Sequence, residues 1–104
     1  MIDIEKLRET FEPVGYKFSP KTPCSPDQFM KTILGSDGIS YCLTWYVTEW
    51  KHEVYGDKIT YHCMLITGSR IHITIDDDIL DIPKTEKIAS SLFKTNLLLP
   101  FQKF

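Results

Sequence analysis

His62, Cys63, His72 and the run Asp76-Asp77-Asp78 all fall within the twenty residues "ITYHCMLITGSRIHITIDDD" that begin at Ile59. Imidazoles and carboxylates at this density are ligands for zinc and similar divalent ions, and an imidazole beside a thiol can serve a cysteine nucleophile. Which chemistry is open depends on which side chains share a face. The stretch alternates as a β-strand does, and alternation sends His62 and Cys63 to opposite faces. His62 and His72 remain as a diagonal pair on neighbouring strands, with Asp76 one diagonal step further, and these three form a candidate metal set. A tight site needs three or four converging groups, and Met64 and Thr74 occupy the nearest other places. The set therefore ranks below a plain wet sheet face.

The remaining reactive groups are weaker still. Cys24, Cys42 and Cys63 are odd in number and widely spaced, which fits neither a disulfide framework nor a paired metal knuckle, so all three are expected as reduced thiols. Cys63 should be buried and inert, Cys42 should face outward with no histidine opposite it, and Cys24 lacks an identifiable base. Asp76, Asp77, Asp78 and Asp81 lack the alternating pattern and the glycine of a calcium loop; they are expected to end an edge strand and favour the next helix. No glycine-rich phosphate loop, HExxH or GxSxG occurs. No catalytic residue and no cofactor is assigned, and the balance leans away from an enzyme.

A chain of 104 residues with 42% apolar and 25% charged residues suits one ordinary domain spanning 1–104. The formal charge of −2 removes the electrostatic argument for unaided nucleic-acid binding. The start "MIDIEKLRET" is acidic where a signal peptide needs a basic start and an apolar run, and no segment reaches membrane-spanning length. The expected location is the cytoplasm, with no membrane partner.

The elements that must position these groups follow from periodicity. Ile4, Leu7, Phe11 and Val14 recur at spacings of 3, 4 and 3, predicting a helix over 3–12 that ends before Pro13. "VGYKF" is a short candidate strand, and "SPKTPCSP" is a connector. Ser25, Pro26, Asp27 and Gln28 read as the cap and first turn of a second helix over 26–34, stopped at Gly35. From Ile39 the period changes to two. The apolar phase flips past Thr48, which predicts a one-residue bulge near Thr48 or Glu49, then a Gly56-Asp57 hairpin turn. That register sets Val54 opposite Ile59, Trp50 opposite Cys63 and Val47 opposite Leu65. A three-residue loop then places Leu65 opposite Ile71 and Cys63 opposite Ile73. A third helix over 84–98 follows, and the ending "LLLPFQKF" is apolar.

The expected fold is α+β: an antiparallel meander of three to four strands, the first long one bulged, packed by two N-terminal helices and one C-terminal helix. Its outer sheet face would carry Tyr46, Lys51, Tyr55, His62, Met64, Arg70 and His72. Aromatics, Met and Arg with few acids are the composition enriched at protein interfaces. The leading expectation is thus a small intracellular module that binds and occludes a protein partner, as inhibitors, immunity proteins and phage anti-defence proteins do. Pairing with a second copy, through the sheet face or the C-terminal tail, is a further expectation. The alternative is a metal-binding enzyme or regulator using His62, His72 and Asp76.

Overall fold

Asp3 begins the first helix as an N-cap, its side chain accepting the Lys6 N–H at 3.2 Å, and α1 runs Ile4–Phe11. A 3-10 turn at Glu12–Val14 takes up Pro13, and Gly15 reverses the chain at φ +99°. The computed structural model describes residues 2–34 and 38–93, with the backbone alone for Leu34 and 90–93. Five strands follow α1: β1 Lys17–Ser19, β2 Gln28–Leu34, β3 Ser40–His52, β4 Gly56–Thr67 and β5 Arg70–Asp77. They form one antiparallel sheet in the order β1-β2-β3-β4-β5. The second helix, α2, spans Ile82–Phe93.

Among the described residues the fold is thus α+β with five strands and two α-helices. The expected helix over 26–34 is instead β2. Phe29 and Ile33 lie four apart, a spacing that keeps two side chains on one face in either a helix or a strand. As a strand the segment buries Phe29 and Ile33 and gives β3 a partner along its edge. The polar residues that resembled a helix cap fold the connector instead. The Asp27 carboxylate accepts the Lys21 N–H at 2.8 Å, and Thr22 and Ser25 share a hydroxyl contact of 2.8 Å. The turn at 35–37, the stop at Gly35, the end of the third expected helix and the apolar tail lie outside the described residues. Pro83 does not precede α2 but sits in its first turn, where no helical amide is needed; Asp81 caps this helix, accepting the Lys84 N–H at 3.1 Å.

The β3–β4 ladder corrects the second expectation. It runs without a bulge from Cys42 opposite Ile66 to His52 opposite Gly56, and the turn is 53–55 rather than Gly56-Asp57. Gly56, opposite His52, closes a three-residue loop at φ +76° instead. The Nδ1 of His52 accepts the N–H groups of Val54 and Tyr55 at 3.0 and 3.2 Å, which folds this tip. The irregularity lies between β4 and β5 instead. Leu65 pairs Ile73 while Ile66 pairs Ile71, leaving His72 as the extra residue.

The odd-numbered face of the sheet holds the core. Phe29, Ile33, Tyr41, Leu43, Trp45, Cys63 and Leu65 pack there with Phe11 and Tyr16, and with Ile82 and Ala89 of α2. Phe11 stacks on Phe29 with centroids 4.6 Å apart. Both helices therefore lie on this one face. Cys63 is 2% exposed, and burial followed by the Glu86 carboxylate pushes its thiol up to about 12. Only a thiolate attacks, so iodoacetamide at neutral pH should modify exposed Cys24 first, Cys42 more slowly, and Cys63 only once the chain unfolds. Mass mapping against time checks that order.

Candidate functional site

The even-numbered face is the one without a helix over it among the described residues. Its strands present Cys42, Thr44, Tyr46, Thr48, Trp50 and His52 from β3, with Lys58, Thr60, His62, Met64 and Ile66 from β4. Met30 and Met64 are the ladder partners of Thr44 on either side, and between these long side chains Thr44 is only 2% exposed. Tyr46, Met64 and Ile66 are half-buried, and Trp50 and Ile71 are about half exposed, at 45% and 54%.

Beyond Tyr46 the sheet narrows. β2 pairs only as far as Trp45 of β3, and β5 only as far as Tyr61 of β4, so 46–52 and 56–60 form a two-stranded ribbon. Its tip is aromatic. Trp50, His52 and Tyr55 lie in series with centroids 5.8 and 4.9 Å apart, and Lys58 sits 5.1 Å above the Tyr55 ring. Val54 and Tyr55 are 77% and 71% exposed. Large apolar groups concentrated at the end of an arm mark a contact surface more strongly than the same residues scattered singly.

At the root of the ribbon is the densest polar arrangement of the face. His62 lies directly opposite Asp76, not diagonal to it, and its Nδ1 is 2.6 Å from Asp76 Oδ1. Its Nε2 is 2.8 Å from Thr48 Oγ1. The Tyr46 ring lies parallel to the imidazole, with centroids 4.5 Å apart and planes 13° apart. Next along, Trp50 Nε1 donates to Thr60 Oγ1 at 2.8 Å. β3, β4 and β5 each supply one member of the Thr48–His62–Asp76 chain, so the ladder register alone brings them together.

The structure does not unite the expected metal set. The bulge turns His72 from the outer row, and its ring lies 5.3 Å from that of buried Tyr41. His62 and Asp76 remain as a pair; among the described residues no group of three or more His, Cys, Asp or Glu is placed to hold a metal ion. Of the expected contact residues, Tyr46, His62 and Met64 share the even face. Tyr55 is in the ribbon turn, and exposed Lys51 alternates to the opposite face once the β3 bulge is removed. Arg70 is exposed at the start of β5, beside the turn at Gly68. Trp50 was missed because the supposed bulge turned it to the core face. Thr48 and Thr60 alternate to the outer face either way, but the bulged register did not set them opposite each other, and an unbroken period of two through His52 is the signal that does so.

The aspartates divide between two tasks. Asp76 serves His62, while Asp77 accepts the Ile79 N–H at 3.1 Å, a bond that holds its carboxyl below the usual range. On the core side of the sheet a cleft of about 280 Å³ runs beside α1, lined by Leu7, Val47, Ile59, Tyr61 and Leu80 among others, and it gathers no imidazole or thiol. Among the described residues no helix is long and apolar enough to cross a membrane. No protein-family model, curated protein or solved structure matches the chain.

Proposed function

We propose that the protein is a binding module that covers a surface of a protein partner with its even-numbered sheet face and the tip of the β3–β4 ribbon. The observation that carries this reading is the one-sided architecture: both helices pack on the odd face, while the even face carries Tyr46, Trp50, Met64, Ile66 and Ile71. Met and aromatic side chains with few charges are what the centre of a protein interface requires. The ribbon that carries Trp50, Val54 and Tyr55 adds anchors that can enter a pocket on the partner. Small size is compatible with an occluding module of the inhibitor, immunity or anti-defence kind.

Trp50 and Tyr55 are the residues on which binding depends most. Each truncation to alanine should weaken the complex by about 2 kcal/mol, roughly 30-fold in affinity. A Trp50→Ala, Tyr55→Ala variant should keep the wild-type melting profile and recover the partner poorly from native lysate. Equal recovery by the folded variant overturns the reading.

A further inference from the structure

The contacts of His62 have a chemical capacity that a binding face does not need. A carboxylate only accepts hydrogen bonds, so the 2.6 Å contact with Asp76 places the imidazole hydrogen on Nδ1. Nε2 then presents its lone pair, and the Thr48 hydroxyl at 2.8 Å donates into it. The stacked Tyr46 ring fixes the imidazole plane, and the ladder on both sides of β4 fixes the separation of the three strands. A hydroxyl hydrogen-bonded to a base that is itself oriented by a third group is the arrangement of an activated nucleophile.

We propose that Thr48 is a nucleophile for acyl transfer, with His62 as its general base and Asp76 as the residue that positions His62. The acyl donor is an activated carboxylic ester or thioester approaching over the open sheet face. As Thr48 Oγ1 bonds to the carbonyl carbon, its proton passes to His62 Nε2. The intermediate collapses by breaking the bond to the leaving alcohol or thiol, which takes that proton. Water then attacks the threonyl ester by the same route and releases the carboxylic acid, restoring Thr48 and neutral His62. Thr60 stands directly across the ladder from Thr48, and its oxygen accepts the Trp50 indole N–H, so the Thr60 O–H remains to donate to the developing oxyanion. His62 is 18% exposed and Asp76 53%, which leaves the edge of the site open to a donor from solvent.

This activity goes beyond the binding reading and stands apart from it, because acylation needs no protein partner. The test uses p-nitrophenyl acetate with the purified chain in a Cys24→Ser background, which removes the exposed thiol. Nitrophenolate should appear in a burst, with one acetyl group mapped to Thr48 by mass spectrometry. Thr48→Val keeps the side-chain shape and should abolish that acetylation. His62→Ala should slow it by roughly 10²–10⁴-fold. Asp76→Asn should slow it at least about tenfold, with Asp76→Glu recovering most of the rate, a rescue that a purely structural carboxylate would not give through this readout. Thermal melting of every variant separates lost chemistry from lost fold. Absence of acetyl on Thr48, or nitrophenolate release unchanged in folded Thr48→Val, overturns the proposal.

Discussion

Phe11→Ala should destabilise the protein by about 3–5 kcal/mol, the range for deleting a fully buried phenylalanine. Phe11 is 0% exposed and is the buried residue through which α1 holds the sheet. Its ring stacks on Phe29, meets Tyr16 edge-on at 5.4 Å and lies 5.4 Å from Trp45. Such pairs contribute about 0.5–1.5 kcal/mol each beyond the area they bury, and removing the central ring strands three others around a void. A domain of this size is stable by roughly 5–15 kcal/mol, so the loss is a large share of the total. Urea unfolding should show a lower midpoint with little change in slope. Leu7→Ala, at a half-buried position on the same helix, should cost markedly less. A loss below about 1 kcal/mol for Phe11→Ala would mean that α1 does not depend on this aromatic cluster.

The contrast between α1 and β2 explains what could be read from the residues alone. In α1 the apolar spacing and Pro13 point to one element, and it forms where expected. In the segment of β2 the cap signature and the spacing of Phe29 and Ile33 suit a helix, but a nine-residue helix has little stability by itself. The exposed edge of β3 decides the matter, and no local pattern reveals that this edge needs a partner. Along β3 the odd-numbered apolar residues were enough to identify the core face through Val47. The turn was not legible in the same way, because His52 closes it with its own side chain. That error moved Trp50 off the row of Tyr46 and slid β3 along β4, and with β5 also out of register the contacts of His62 with Thr48 and Asp76 stayed hidden. Their proximity depends on the register of three strands at once, and a shift in either ladder disperses it.

The second large effect is expected at Glu86, which ties α2 to Tyr16 and Lys31 beside the core. Its Oε2 accepts the Tyr16 O–H at 2.7 Å and the Lys31 ammonium at 3.1 Å, so one carboxylate oxygen joins α2, β2 and the segment before β1. The Glu86 and Lys31 side chains are only 17% and 27% exposed, and Tyr16 is 2% exposed. Glu86→Ala therefore leaves a buried phenol without its acceptor and should cost about 1–3 kcal/mol, whereas Glu86→Gln retains an acceptor for Tyr16 and should cost less. Burial, followed by the Glu86 carboxylate, holds the Tyr16 phenol far above its ordinary value, and Cys63 is raised from 9.0 to about 12. Both groups bind their proton more tightly in the folded chain than in the unfolded one. The Cys63 contribution is fully present below pH 9.0 and is lost as pH climbs toward about 12, while that of Tyr16 starts to fall only above its ordinary value of 10.0 and continues to fall beyond that interval. Melting temperature should accordingly fall across that interval in the wild type. In Cys63→Ala the fall should be shallower, because one of the two groups whose ionisation opposes folding is gone. A wild-type melting temperature that stays level across the interval would show that neither proton is held by the fold.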